Sequence, residues 1–124
     1  MGAYKYDLNK IYSAEIEIST IKDLFCLRVL KDVLKLAEIP LGYYSINSYS
    51  EDAVCIEYLD GDWIVYNGER ENKYNISKFN NVVNACRELI SRLSDTEKEK
   101  QYIISLFEKN INSNSNFMLW KFNV

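Results

Sequence analysis

Acidic side chains are the densest group of chemically active residues in this chain of 124 residues. Residues 51 to 72 carry seven acids against one base, Arg70, a net charge of −6 in a chain whose total is −3. Paired carboxylates perform acid and base catalysis only when two of them face each other across a pocket. The seven acids are Glu51, Asp52, Glu57, Asp60, Asp62, Glu69 and Glu71.

Two other interpretations of these acids are open, a calcium site and a recognition surface. Calcium loops alternate Asp and Asn around a Gly over about twelve residues, and Asp60-Gly61-Asp62 is a far shorter match. Acids interleaved with Tyr and Trp fit a basic protein partner, because aromatic side chains anchor an interface while acids steer and select the partner. A solvated turn with no binding role has the same charge pattern, so charge alone does not favour the recognition surface over such a turn.

The remaining composition argues against an enzyme. The chain has no histidine, which excludes the usual general base at neutral pH and every nucleophile activated by histidine. No G-x-S-x-G stretch or glycine-rich phosphate loop occurs. Cys26, Cys55 and Cys86 are odd in number and set among apolar neighbours, which predicts buried reduced thiols. We therefore expect no catalytic residue, no cofactor and no metal.

The composition also bounds the partners and the compartment. Ten tyrosines could stack on nucleobases, yet the basic patches that accompany such stacking are missing. We therefore expect no direct binding of nucleic acid. No apolar run approaches the roughly 18 residues of a membrane helix, and the first ten residues lack the apolar centre of a signal peptide. These features predict a cytoplasmic protein that does not enter a membrane.

The acidic segment lies on a predicted β-hairpin, in which strands 53–59 and 62–67 flank an Asp60-Gly61 turn. A two-residue loop pairs Leu59 with Asp62, and the pairs Tyr58–Trp63, Ile56–Val65 and Val54–Asn67 follow from it. One face then carries Val54, Ile56, Tyr58, Trp63 and Val65 and is predicted to face the core. The other face is predicted to be half-covered or to meet a partner, and it carries Ala53, Cys55, Glu57, Leu59, Asp62, Ile64 and Tyr66.

The other elements complete a predicted single α+β domain, residues 1–124. It consists of an antiparallel β-meander of about four strands and three main helices. The predicted parts are an N-terminal segment 1–19 with a short helix and an extended stretch, a helix 20–38, the meander 43–76 with a polar turn at 48–52, and two helices in 77–110. Ser77 is the expected N-cap of the first of these two helices and residues 94–97 the capping box of the second. Residues 117–122 are either a late fifth strand or a docked arm.

Helix 20–38 carries more apolar residues than one amphipathic stripe needs. Such a helix packs on two sides within the chain, or partly against a partner. An alternative function follows from the second possibility: a small cytoplasmic regulatory or adaptor module that self-associates through this helix.

Residues 63–70, Trp-Ile-Val-Tyr-Asn-Gly-Glu-Arg, followed by Phe79 and by Ala85-Cys86, resemble immunity proteins of bacterial polymorphic-toxin systems of the contact-dependent inhibition type. In those families a W-x-V-Y-x-x-E-R-G stretch ends a hairpin, and an aromatic residue and an Ala-Cys pair follow on a helix. The likeness spans residues 42–93. Glu71 replaces the motif's final glycine, which puts the tight turn there in question.

The resemblance implies a protein that binds and neutralises a cognate toxin domain, often a nuclease, by occluding its active site without performing chemistry. An acidic face would complement a basic substrate groove. A monomer or a weak homodimer fits this role. Glu69 and Arg70 have no packing role, and they either contact the toxin or pair with each other, with Arg87 or with Glu88. The partner-binding residues that we predict are Glu57, Asp60, Asp62, Ile64, Tyr66, Glu69 and Arg70.

Overall fold

A computed structural model describes residues 14–112, with side chains described from residue 21 onward. The helices are α1 (Ala14–Leu36), α2 (Val82–Leu93) and α3 (Glu97–Ile111), with a 3₁₀ turn at Leu41–Tyr43. The strands are β1 (Tyr44–Ile46), β2 (Ala53–Leu59), β3 (Asp62–Glu69) and β4 (Asn72–Phe79). The α+β class is confirmed. Predictions for residues 1–13 and for the arm at 117–122, including its fifth strand, lie outside the described residues.

The four strands form one sheet in the order β1-β2-β3-β4. Strands β2 and β3 pair in the predicted register, with Leu59 opposite Asp62 and Tyr58 opposite Trp63. Strand β4 continues the antiparallel meander on β3, but β1 pairs parallel with β2. The meander prediction is therefore wrong at its first strand.

The parallel pairing arises because residues 47–52 form a crossover segment instead of the predicted polar turn. The N–H of Asn47 donates to the carbonyl of Ile56 (2.7 Å) at one end, and the N–H of Asp52 donates to the carbonyl of Gly68 (2.8 Å) at the other. Asn47 and Asp52 have φ of 72° and 56°, a left-handed conformation that Asn and Asp adopt more readily than most residues. The chain therefore re-enters the sheet running in the same direction as β1.

Two helix starts also differ from prediction. Helix α1 begins at Ala14, so the extended stretch before Thr20 is wrong, since three alternating apolar residues do not outweigh helix propagation. Helix α2 begins at Val82, where the side chain of Asn81 accepts a hydrogen bond from the N–H of Asn84 (2.9 Å). Ser77 instead belongs to β4, opposite Val65.

Helix α3 starts with a capping box two residues beyond the predicted one. The side chain of Thr96 accepts from the N–H of Glu99 (3.0 Å), and the carboxylate of Glu99 accepts from the N–H of Asp95 (2.7 Å). Two N–H groups at the helix start, which have no partner within the helix, are thereby satisfied.

The main core lies between one face of the sheet and the three helices. Each fully buried Leu or Ile contributes on the order of 1.5–3 kcal/mol by its removal from water. Helix α1 buries a broad apolar side, while Leu24 and Leu36 are exposed. Packing within the chain thus accounts for most of its apolar excess. Cys26, Cys55 and Cys86 are buried and free, as predicted.

No helix within residues 14–112 is both long and apolar enough to cross a membrane.

Candidate protein-binding surface on the acidic hairpin

The predicted core face of the hairpin is largely confirmed. Ile56, Trp63 and Val65 are buried in the main core, and Val54 packs partly against it. Tyr58 is the exception, with 57% of its surface exposed near the end of the hairpin. Its ring tilts against Trp63, with 5.3 Å between ring centroids. Tyr58 therefore covers the tryptophan while one side of its own ring meets solvent.

The opposite face, called here the outer face, carries a second small core made of Ala53, Cys55, Ile64 and Tyr66. Tyr49 from the crossover segment packs on it, with its ring stacked on that of Tyr66 at 6.3 Å. Ile64 and Tyr66 are 3% and 0% exposed. The expectation that these two side chains contact a partner is therefore wrong, because the outer face is covered.

Gly68 permits the close approach of the crossover segment. A Cβ at this position would overlap the backbone carbonyl oxygen of Ser50 and would touch the ring of Tyr49. A glycine in a strand often marks such an approach of another backbone. The glycine in the Asn67-Gly68-Glu69 stretch thus serves the packing of the outer face.

Glu57 is part of a polar network on the outer face. The hydroxyl of Tyr66 donates to its carboxylate, and Nζ of Lys73 lies 3.5 Å from the same group. The Lys73 ammonium also sits 5.0 Å from the centroid of the Tyr66 ring. Burial, together with the bond to Glu57, raises the pKa of the Tyr66 phenol. The charge of Glu57 is thus compensated within the chain, which gives this residue a structural role.

The hairpin tip, defined as residues 58–62, holds two of the predicted contacts. Asp60 and Gly61 have φ of 52° and 88°, as the two-residue hairpin turn requires. Tyr58, Leu59 and Asp60 are exposed and Asp62 is half-buried. Within the described part of the chain, neither Asp60 nor Asp62 has a cation within ion-pair distance.

The β3–β4 turn lies at the other end of strand β3 and holds Glu69 and Arg70. Strand pairing of Glu69 with Asn72 makes it a two-residue turn. Arg70 and Glu71 have φ of 52° and 64°. The tight turn therefore forms without the motif's glycine, at the cost of two non-glycine residues in the left-handed region.

A carboxylate from the crossover segment braces this turn. The N–H of Glu71 donates to both carboxylate oxygens of Glu51 (3.2 and 3.3 Å), and the hydroxyl of Tyr49 donates to the same carboxylate (2.6 Å). The bond from Tyr49 lowers the pKa of Glu51, while partial burial and this bond raise the pKa of Tyr49 to about 12. Successive N–H groups in a left-handed turn attract an anion, and Glu51 supplies it from within the chain.

The alternative pairings considered for Glu69 and Arg70 do not occur. Arg87 pairs with Glu108 at 2.6 Å, and Glu88 pairs with Arg92 at 2.8 Å. Both side chains of the turn are exposed, and in residues 14–112 neither has an ion-pair partner. They remain available to a partner.

A cleft of about 400 Å³ separates the β3–β4 turn from the end of α2. Three carboxylates border it, from Asp52, Glu69 and Asp95, and Tyr43 forms part of its wall with most of its ring exposed. These four residues are called here the acidic cleft. None of the three carboxylates has an ion-pair partner within the described range.

Arg92 also lines this cleft, but its guanidinium is bound on the protein side. It donates to Glu88 (2.8 Å), to the side chain of Asn67 (3.1 Å), to the carbonyl of Asn75 (2.6 Å) and to Ser77 (3.0 Å). Asn75 has φ of 52° beside the register shift in β4, so Arg92 fixes a β-bulge. Arg92 therefore makes no ion pair with the cleft acids, which have no ion-pair partner among the described residues.

The predicted contact residues therefore fall into separate groups. Asp60 and Asp62 lie at the hairpin tip, while Glu69 and Arg70 lie about 23 Å away at the far end of β3, at 3.3 Å per residue.

The sequence analysis did not predict Tyr43 and Asp95 as parts of the cleft. The cluster of acids pointed to Asp52, but nothing local marks Asp95, which reaches the cleft from the α2–α3 connection. In residues 14–112 no three His, Cys, Asp or Glu side chains converge to hold a metal.

Comparison of the chain with models of protein families, with curated proteins and with solved structures finds no match.

Proposed function

We propose that this protein is an immunity protein, which binds a cognate bacterial toxin domain and neutralises it by occluding the toxin's active site or a surface next to it. The acidic cleft is the centre of the contact, and the hairpin tip is a second contact. The protein acts by binding alone, as a monomer or a weak homodimer, and performs no chemistry on the toxin.

The acidic cleft is the observation that carries this proposal. It brings an exposed tyrosine and three carboxylates, which no cation of the described residues pairs with, to one concave surface. A basic side chain of a partner entering this cleft would gain charge-assisted hydrogen bonds to the carboxylates and contact with the aromatic face. Such an anchor, a charged group beside an aromatic one in a partly enclosed site, is typical of the residues that dominate protein interfaces.

The charge distribution supports the same conclusion. The acids of the cleft and the hairpin tip have no ion-pair partner within residues 14–112, in contrast to Glu57, whose charge is compensated by Lys73. A nuclease-type toxin has a basic groove for its substrate, and an acidic inhibitor approaching it associates faster at low salt. The resemblance around Trp63 and Glu69-Arg70 leads independently to the same class of protein.

The direct test is co-expression with the protein encoded by the neighbouring gene. The expected result is protection of cells from that protein and its co-purification with this chain. Absence of both protection and co-purification would contradict the immunity function.

The contact surface is tested with single charge reversals that all change the net charge by the same amount. Glu69→Lys and Asp95→Lys, at the cleft, are expected to weaken toxin binding by roughly tenfold or more in low salt, and by less in high salt because exposed charges are screened. Asp62→Lys makes the same change at the hairpin tip. Asp32→Lys, an exposed position on α1, is the matched control.

Titration calorimetry or surface plasmon resonance at two salt concentrations measures these effects. If Glu69→Lys and Asp95→Lys bind no worse than Asp32→Lys, the cleft is not the contact. A loss confined to Asp62→Lys would place the contact at the hairpin tip alone.

A further inference from the structure

A second groove lies on another part of the molecule, between α1 and strand β1. Its volume is about 430 Å³, within the range of sites that bind small ligands or peptide side chains. Part of the lining is apolar, and Leu24 and Leu41 in this part are exposed at 46% and 66%. Its lining residues are Leu24, Leu27, Arg28, Lys31, Leu41, Tyr44, Ser45, Ile46 and Asn47.

One side of this groove is the open edge of the sheet. Strand β1 is at the end of the strand order, and among the described residues only β2 pairs with it. The N–H of Asn47 points to β2, where it donates to Ile56 (2.7 Å). Because backbone groups of alternate residues in a strand point to opposite sides, those of Tyr44 and Ile46 point away from β2. Within residues 14–112 these groups have no backbone partner, so the edge can accept another strand.

The other side of the groove is positively charged. Arg28 and Lys31 are three residues apart on α1, a spacing that puts them on the same face of the helix. Both are exposed, and no carboxylate of the described residues lies within ion-pair distance of either. The described lining contains no acid. This sign of charge is opposite to that of the acidic cleft.

We propose that the groove binds an extended segment of a partner polypeptide, which adds as a strand to the edge of β1 and places acidic side chains beside Arg28 and Lys31. The intervening positions of that segment, whose side chains point to the opposite face of the sheet, carry β-branched residues that favour an extended strand. Backbone hydrogen bonds to Tyr44 and Ile46 supply affinity, and the two cations select acidic sequences. The unpaired backbone edge favours a polypeptide over a small carboxylate. This inference does not depend on the proposed immunity function, since it uses a different surface with the opposite charge.

The test uses the full chain and three blocked seven-residue peptides. One alternates valine and glutamate, one has lysine in place of glutamate, and one is the glutamate peptide with alternate backbone nitrogens methylated. Amide chemical shifts measured by NMR report the binding site. The expected result is saturable shifts at residues 44–47 and 28–31 with the glutamate peptide, with at least tenfold weaker binding of the other two peptides.

Charge-reversal variants on α1 provide the matched comparison. Arg28→Glu and Lys31→Glu are each expected to weaken binding of the glutamate peptide at least fivefold. Lys35→Glu, exposed on the same helix but outside the groove, should leave the affinity within twofold. Circular dichroism of each variant confirms that it is folded.

Five outcomes overturn the proposal. Absence of saturable shifts up to several millimolar peptide, or equal binding of the lysine or the methylated peptide, would show that no acidic strand is recognised. Chemical-shift changes of equal size with hexanoate, a small carboxylate used in place of the peptide, would identify a site for small anions. A concentration-dependent dimer that is lost in Arg28→Glu would show that the groove holds a second copy of this chain.

Discussion

Replacing Glu71 by glycine is expected to stabilise the protein, because Glu71 occupies a left-handed conformation (φ 64°) in the β3–β4 turn. A side chain in that region costs about 1–2 kcal/mol relative to glycine. Part of this gain is lost, because glycine also increases the conformational entropy of the unfolded chain, which lowers the free energy of unfolding by about 0.5–1 kcal/mol. The hydrogen bond from the N–H of residue 71 to Glu51 involves the backbone and is retained. The net expectation is a gain of roughly 0.5–1 kcal/mol in the free energy of unfolding.

The substitution also removes a negative charge from an acidic region, so Glu71→Gln is the control for charge. It removes the same charge and keeps the strained backbone. In a domain of this size, a gain of 0.5–1 kcal/mol corresponds to a rise of about 2–5 °C in Tm. Thermal unfolding gives the Tm, and urea unfolding gives the free energy, provided that the m-value does not change. A Glu71→Gly midpoint equal to that of Glu71→Gln, or below it, would refute the claim that this turn stores conformational strain.

Gly68→Ala is expected to cost roughly 1–3 kcal/mol, because the new methyl group displaces the crossover segment. Gly42→Ala, whose added Cβ has no atom of the described residues within 4 Å, should change the free energy of unfolding in urea by less than about 0.5 kcal/mol. Equal effects of the two substitutions would contradict the packing described. Tyr44 has a buried hydroxyl without a hydrogen-bond partner in the described chain, so Tyr44→Phe should be neutral or stabilising by about 1 kcal/mol. Tyr66→Phe removes a paired hydroxyl and should destabilise; the opposite order would show that the Tyr44 hydroxyl is satisfied. The lowered pKa of Glu51 means that its ionised form stabilises the fold above about pH 5, and that this contribution is lost as pH falls through the folded-state pKa. The difference in unfolding free energy between wild type and Glu51→Gln should therefore shrink on acidification, and a constant difference from pH 7 to pH 3 would contradict it.

The hairpin illustrates what local sequence specifies. The Asp60-Gly61 turn fixes the strand register, because its two residues adopt left-handed conformations that few other pairs adopt easily. Alternation then assigns Ile56, Trp63 and Val65 to the core, and burial confirms all three. The α+β class and the free buried cysteines follow from equally local patterns.

Boundaries were less well predicted where two local signals competed. A capping residue, Ser77, precedes an apolar helical period, yet its backbone is paired with Val65 in the sheet. Strand pairing of this segment extends to Phe79, opposite Trp63, so the helix begins only after Asn81. Tertiary pairing thus overrides a weak capping preference of about 1 kcal/mol.

By itself, the sequence determined the class of the fold, the hairpin register and the acidic character of residues 51 to 72, because these depend on neighbours along the chain. Only the tertiary structure decided that Ile64 and Tyr66 are covered, that Glu51 braces a turn twenty residues away, and that Asp95 joins Asp52 and Glu69 at one cleft. These outcomes depend on how the crossover segment and the α2–α3 connection close over the sheet. Hydrophobic periodicity and turn motifs do not predict these contacts, because the contacts join residues distant in sequence through packing and backbone hydrogen bonds.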